Sequence, residues 1–74
     1  MPAKGEDGVR LVINGEERSF SGIGDVAGLV VALGLNPKKV AIERNLEIVP
    51  RSLYATTCIA DGDRIEIVNF VGGG

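Results

Sequence analysis

One segment of this chain has the apolar spacing of an amphipathic helix, and the segments on both sides of it have the alternation of strands. Between Asp25 and Gly34 the apolar residues recur at i, i+3, i+4 and i+7, which is one face of a helix. These residues are Val26, Leu29, Val30 and Leu33. Either Ser21 or Asp25 can cap the start of the helix, and Gly34 can end it. Gly28 is unfavourable in mid-helix, and a close crossing over a sheet would explain it.

Alternating apolar and polar residues predict strands before and after this helix. Val9, Leu11 and Ile13 share one face of the first strand, and Asn14-Gly15 favours a type I′ turn into the second. The residues expected to face the core from the later strands are Val40, Ile42, Ile65 and Ile67. The predicted strands are 9–13, 16–20, 40–44, 46–50 and 64–71, with a single helical turn at 51–54.

The order of these elements is strand, strand, helix, strand, short strand, strand. A helix between the first hairpin and the later strands must cross one face of a mixed sheet, which lets the last strand lie centrally beside the first. The predicted fold is therefore α+β, a ubiquitin-like β-grasp with about four to five strands and one main helix. Residues 1–8 are expected to be a flexible extension, 9–71 the folded domain and 72–74 a flexible glycine tail.

Composition supports a small globular protein. The hydrophobic fraction is 45% and the charged fraction is 24%, which is too apolar for a disordered chain. No apolar run approaches the roughly 20 residues of a membrane span, and the first residues lack the apolar stretch of a secretory signal. Cys58 is the only cysteine, so no internal disulfide can form. A cytoplasmic location is the expectation.

The charged and reactive side chains argue against an enzyme or a nucleic-acid binder. The net charge is −2 and the basic residues are scattered, so the basic patch of a nucleic-acid partner is missing. Histidine is absent, which removes the commonest general base and metal ligand. We expect no bound cofactor or metal. Cys58 is expected to be a small buried hydrophobic residue. Most acidic and basic side chains are expected to be solvated, including Glu16, Glu17, Arg51, Asp61, Asp63 and Arg64.

The last three residues are the candidate functional segment. Gly72, Gly73 and Gly74 have no side chains to pack, so as an extended peptide they could thread a narrow channel and present an unhindered carboxylate. The alternatives are a frayed end or a boundary within a longer protein.

Four sequence segments resemble, in order, the ThiS family, the sulfur carrier proteins of thiamin biosynthesis. They are the first strand with Asn14-Gly15, the run from Ile42 to Arg51 with Tyr54 after it, the run from Asp61 to Ile67, and the end Phe70-Val71-Gly72-Gly73-Gly74. The resemblance covers roughly 9–74. Residues 1–8 depart from it, because the first strand of the family usually begins almost at the start.

The resemblance implies a protein co-substrate, not a catalyst. It implies that a ThiF-like enzyme uses ATP to adenylate the carboxylate of Gly74, with Gly72 and Gly73 threading the activation site. A sulfur donor such as a cysteine desulfurase then yields a thiocarboxylate. A ThiG-like thiazole synthase would use this group as its sulfur source.

An apolar patch on the sheet would suit docking of such partners. The candidate residues are Val12, Leu46, Val68 and Phe70, some of which fall by alternation on the face opposite Ile13 and Ile65. The alternative is that loops partly cover this face. Three other functions stay open: a carrier like the small subunit of molybdopterin synthase, a ubiquitin-like interaction or modifier domain, and a piece of a longer protein.

Overall fold

The computed structural model describes residues 8–70, which form one mixed sheet, one α-helix and two short 3₁₀ helices. The strands are β1 (Gly8–Ile13), β2 (Glu16–Ser21), β3 (Val40–Arg44), β4 (Glu47–Val49) and β5 (Arg64–Asn69). The α-helix is α1 (Val26–Ala32), and the 3₁₀ helices are η1 (Pro37–Lys39) and η2 (Arg51–Leu53). Residues 1–7 and 71–74 lie outside the described part, and with them most of the predicted extension and all of the predicted tail.

The sheet has the order β2-β1-β5-β3-β4, so the last strand of the chain is its central strand. β5 pairs in parallel with β1 and antiparallel with β3. The other two pairings, β1 with β2 and β3 with β4, are antiparallel. This confirms the predicted α+β fold with its central last strand.

Two tight turns connect the antiparallel neighbours. Asn14 and Gly15 have φ of 51° and 86°, the two positive values that a type I′ turn requires. The β3–β4 turn also has two such residues, Asn45 at 52° and Leu46 at 72°. Asparagine accepts positive φ comparatively easily, whereas leucine strongly disfavours it, so the value at Leu46 is the unexpected one.

Local capping interactions set both ends of α1. The Asp25 carboxylate accepts a hydrogen bond of 2.7 Å from the backbone N–H of Gly28, so Asp25 and not Ser21 is the N-cap. Gly34, with φ of 73°, donates to the carbonyl of Val31, and Leu35 donates to that of Val30. This pair of bonds is a Schellman motif.

The environment of Gly28 differs from the expectation. A Cβ built there would contact Asp25 Oδ1 at 3.4 Å and Ile23 Cβ at 3.5 Å, with no strand among its nearest neighbours. The glycine therefore faces the N-cap, and a crossing over the sheet does not explain it.

The core lies between α1 and one face of the sheet. Every residue predicted to face inward is buried or half-buried against it. The buried apolar residues are Leu11, Ile13, Val26, Leu29, Val30, Val40, Ile42, Val49, Tyr54, Ile59 and Ile65.

Two expectations about single residues were wrong. Cys58 is exposed, because the neighbouring Ile59 takes the inward position in this extended stretch. Asp63 is buried instead of solvated, because residues from the β3–β4 turn fold over it and supply hydrogen bonds. The other charged residues that were expected to be solvated are exposed, namely Glu16, Glu17, Arg51, Asp61 and Arg64.

Candidate functional site

The predicted functional segment, Gly72 to Gly74, lies outside the described residues, but its point of attachment is well defined. The described chain ends at Phe70, directly after β5. The backbone N–H of Phe70 donates a hydrogen bond of 2.7 Å to the carbonyl of Lys39, at the end of η1. Whatever follows Phe70 therefore starts from the end of the central strand, beside the entrance to β3.

The side chain of Asn14 holds the last part of β5. Strand β1 ends at Ile13, level with Ile65, so the next residues of β5 have no backbone partner from β1. Asn14 replaces that partner: its Oδ1 accepts from the N–H of Ile67 at 2.8 Å, and its Nδ2 donates to the carbonyl of Ile67 at 3.2 Å. Asn14 thus serves both as a turn residue and as a brace for the strand that leads to the tail.

A polar cluster around Asp63 holds the beginning of β5. The Asp63 carboxylate accepts hydrogen bonds from Arg44 Nε at 2.8 Å, Asn45 Nδ2 at 3.1 Å and the N–H of Ala60 at 2.8 Å. Asn45 Oδ1 also accepts from the N–H of Arg64 at 2.9 Å. The cluster therefore ties the β3–β4 turn to the first residue of the central strand.

The carboxyl group of Asp63 stays ionised despite its burial. Burial alone raises its pKa, but the hydrogen bonds from Asn45, Ala60 and Arg44, together with the positive charge of Arg44, outweigh that effect and lower the pKa below 3.8. A permanent negative charge beside the Arg44 guanidinium makes this a largely buried ion pair. Its position at the start of β5 indicates a structural role.

The face of the sheet opposite α1, here called the outer face, carries exposed apolar residues close to Phe70. Val68 pairs across the sheet with Ala41 and is 58% exposed, and Phe70 is 54% exposed. Ile48 on β4 points to the same side, one row further from the tail, and is 71% exposed. Among residues 8–70 no loop covers Val68 or Phe70, so both side chains are exposed within this part of the chain.

The four docking candidates from the sequence do not form one patch. Val68 and Phe70 lie together at the root of the tail. Leu46 is also exposed, but its turn lies beyond the Arg44–Ile65 pair, about 16 Å along the sheet from Phe70. Val12 is only half-buried, and it pairs with Arg64, about 20 Å from Phe70.

Ile48 is an exposed apolar residue of the outer face that sequence reasoning missed. Alternation with the buried Val49 would have assigned it to the outer face, because successive strand residues point to opposite sides. We name Val68 and Phe70 the root patch, because Ile48 lies two strands away from β5, about 16 Å from Phe70, with Glu43 on the strand between.

The described residues contain neither a cluster of metal-ligating side chains nor a membrane-spanning helix. Within 8–70, no group of three or more Asp, Glu or Cys side chains is placed to hold a metal ion. None of the helices in this part of the chain is long and apolar enough to cross a membrane.

Sequence comparisons give consistent relatives. The model of the ThiS family matches residues 11–74. A sulfur carrier protein ThiS from Bacillus subtilis is 38% identical over 65 residues, which cover 86% of this chain and 98% of that protein. A thiazole synthase from Paramagnetospirillum magneticum is 58% identical over 66 residues, 89% of this chain but 20% of that protein. A thiazole synthase from Magnetococcus marinus gives the same coverage, so this chain spans about a fifth of the length of these two relatives.

A comparison of structures agrees. The crystal structure of the thiamine biosynthesis protein ThiS from Geobacter metallireducens superposes with a TM-score of 0.76 at 32% sequence identity, over 89% of this chain and all of that one. The family match over most of the sequence, the Bacillus relative and this structure together show that the chain belongs to the ThiS family of sulfur carrier proteins.

Proposed function

We propose that the chain carries sulfur as a thiocarboxylate on Gly74 and donates it for thiazole formation in thiamin biosynthesis. The observation that carries the proposal is the placement of the three glycines. In a ThiS-family chain they follow the central strand β5 after only Phe70 and Val71, and Phe70, directly after that strand, is hydrogen-bonded to Lys39. A rigid body with a side-chain-free end suits a group that partner enzymes must reach.

The chemistry has two steps. An oxygen of the Gly74 carboxylate attacks the α-phosphorus of ATP, which releases pyrophosphate and leaves an acyl adenylate. Two thiol equivalents reduce the persulfide of the donor and are oxidised to a disulfide, which releases hydrosulfide. The hydrosulfide attacks the acyl carbon, a C–S bond forms, the C–O bond to the phosphate breaks and AMP leaves. Activation is required because a free carboxylate resists nucleophiles, whereas AMP is a good leaving group. Partner enzymes supply the catalysis, and this chain supplies the acyl group as a co-substrate.

Three partners follow from this chemistry. A ThiF-like adenylating enzyme would use ATP, a donor such as a cysteine desulfurase would supply the sulfur, and a ThiG-like thiazole synthase would accept it. The last has the best support, because relatives named thiazole synthase contain a stretch up to 58% identical to this chain. That stretch is a fifth of the length of these relatives. We propose that their remaining part is the thiazole synthase itself, which for this chain would be a separate partner protein.

The root patch is the proposed docking surface for the adenylating enzyme and the thiazole synthase. Val68 and Phe70 are exposed immediately before the residues that must enter a partner's active site. Apolar contacts there would orient the tail without using its reactive end. Val12 and Leu46 lie too far from Phe70 to share this contact and would touch only a partner that spans the sheet.

The test is incubation of the chain with a cognate adenylating enzyme, ATP and a sulfur donor, followed by intact-mass measurement. Replacement of one oxygen by sulfur should add about 16 Da. Deletion of Gly74 should abolish the increase, while Leu46→Ala, far from the tail, should leave it unchanged. An unmodified mass with an authentic enzyme that adenylates another ThiS-family protein would contradict the proposal.

The alternative functions predict different outcomes. A molybdopterin-synthase type of carrier would deliver its sulfur to that synthase and not to a thiazole synthase. A ubiquitin-like modifier would form covalent adducts with lysines of other proteins, visible as ladders on a denaturing gel. The relatives named ThiS and thiazole synthase favour the thiazole pathway over both.

A further inference from the structure

A second surface feature lies on the helix-bearing side of the sheet, away from the root patch. It is a groove of about 330 Å³ between α1, η1 and η2. Ala27, Val30 and Tyr54 form its apolar floor, Lys38 and Arg51 stand in its walls, and Val31 lies at its rim. We call this feature the helix groove.

The helix groove is formed by firmly connected elements. The N–H of Ala27 donates to the carbonyl of Tyr54 at 2.9 Å, which fixes η2 against α1. Tyr54 is buried, and its hydroxyl lies 3.4 Å from the carbonyl of Val40. On the other wall, η1 is tied to the end of β5 through the bond from Phe70 to Lys39. The groove is therefore already formed without an occupant.

The charges of the helix groove oppose the net charge of the chain. The sequence carries a net charge of −2, yet the charged residues that line the groove are the cations Lys38 and Arg51, with no acidic residue among the described lining residues. An apolar floor between two cations is complementary to an apolar side chain flanked by carboxylates.

The open shape of the groove favours a peptide over a small molecule. Small-molecule sites enclose most of the ligand surface, whereas here Val31 at the rim is 76% exposed and extends the apolar surface beyond the groove. We propose that the helix groove is a docking site for an acidic, leucine-bearing peptide segment of a partner protein. The site is independent of the glycines, so it goes beyond the proposed sulfur chemistry.

The first experiment titrates the ¹⁵N-labelled chain with the blocked peptide acetyl-Glu-Leu-Asp-Leu-Glu-amide and follows the amide signals by NMR. The proposal expects saturable shifts at Ala27, Val31, Ser52 and Ala55, with a Kd of about 1 mM or tighter. The peptide acetyl-Lys-Leu-Lys-Leu-Lys-amide should bind at least about fivefold more weakly. Absence of shifts at several times that concentration, or shifts confined to the outer face, would overturn the proposal.

Matched charge reversals test the role of the two cations. The double variant K38E/R51E should weaken binding of the acidic peptide at least about tenfold. The control R10E/R64E makes the same change in net charge with two exposed residues on the outer face of the sheet, opposite the groove, and it should weaken binding less than about threefold. Equal weakening by both variants would show a non-specific effect of net charge and reject the site.

A third variant tests whether the peptide occupies the groove itself, without changing any charge. Ala55→Trp places a large side chain at the exposed lining of the groove and should abolish the shifts while the remaining amide spectrum keeps its native dispersion. Because none of these variants touches Gly74, failure of peptide binding would leave the sulfur-carrier proposal standing. Failure of the thiocarboxylate test would likewise leave this one standing.

Discussion

At the scale of single residues, Asp63 shows how a buried charge can hold the central strand. Its carboxylate accepts from Arg44, Asn45 and the N–H of Ala60, and those donors reach it from the β3–β4 turn and the loop before β5. An unpaired carboxylate in this position would be strongly unfavourable, whereas a carboxylate with this set of donors is stable as the anion. The residue is thus important for the fold that supports the tail.

Asp63→Asn should lower the free energy of unfolding by about 1–3 kcal/mol at neutral pH. The reason is that the new amide NH₂ group, itself a hydrogen-bond donor, would face the donors of Arg44, Asn45 and Ala60. The effect depends on pH. Since folding lowers the pKa of Asp63 below 3.8, its stabilisation is complete above that value and is lost as the pH falls through the folded-state pKa. The difference between wild type and variant should therefore shrink in acid. Urea unfolding at neutral pH and below pH 4 measures it.

The control for that experiment is Glu66→Gln, which neutralises an exposed carboxylate on the same strand. It should change the unfolding free energy by less than about 0.5 kcal/mol. An Asp63→Asn variant as stable as Glu66→Gln at neutral pH would show that the cluster does not stabilise the fold.

Two glycines near α1 should respond to alanine in opposite directions. At Gly28 the new Cβ would meet its neighbours at 3.4 Å or more, an ordinary contact, so Gly28→Ala should stabilise the protein by up to about 1 kcal/mol through helix propensity. At Gly34, with φ of 73°, Gly34→Ala should destabilise it by about 1–2 kcal/mol. Thermal unfolding of both variants measures the signs, and a destabilised Gly28→Ala would contradict this account of the N-cap.

At the scale of elements, the features that depend on local sequence were predictable. Asn14-Gly15 predicted its turn because only a few residues accept two consecutive positive φ values, and the period of the apolar residues assigned the inward faces of α1 and β5. Strand β3 has the predicted bounds, and β1 begins one residue earlier, at Gly8. The positive φ of Leu46 was not predictable, because no local preference favours it.

The features that depend on distant contacts were not predictable from the sequence. The burial of Asp63 requires Arg44 and Asn45, 19 and 18 positions away in the chain, to meet it in the folded state. Likewise, only the register of β3 against β5 and β4 shows that Leu46 lies far from the tail root. The glycine tail could be recognised from the sequence alone. The surface residues around its point of attachment could be identified only from the order and register of the strands.

The root patch makes a prediction for the outer face of the sheet. Val68→Asp should weaken binding to the adenylating enzyme at least about tenfold, because it places a charge in an apolar contact. Stability should change by less than about 1 kcal/mol, since Val68 is 58% exposed. Calorimetric titration with the enzyme and thermal unfolding separate the two effects.

The matched control for this surface is Ser19→Asp. Ser19 lies on β2, where it pairs with Arg10 of β1 and is exposed on the outer face. β2 is the edge strand opposite β4. We expect it to leave binding within about twofold of wild type, because it is outside the contact. If Ser19→Asp and Val68→Asp weaken binding equally, the root patch is not the docking surface.

At the scale of the whole molecule, the residues that stabilise the fold are different from those that carry the proposed reactive group. The core and the Asp63 cluster lie within the body, while the proposed reactive group follows the end of the central strand. The root patch lies on the outer face and the helix groove on the helix-bearing side of the sheet, with η1 between them, because Lys39 accepts the bond from Phe70 while Lys38 lines the groove. Such an arrangement suits a carrier that meets an activating enzyme, a sulfur donor and an acceptor in turn.

Transfer of labelled sulfur tests the central claim most directly. The chain is first charged with ³⁴S by the adenylating enzyme and donor, then purified away from both and given to thiazole synthase with its other substrates. The account predicts that the thiazole product contains ³⁴S and that the chain returns to its unmodified mass. Unlabelled thiazole, formed while the chain keeps its label, would contradict it.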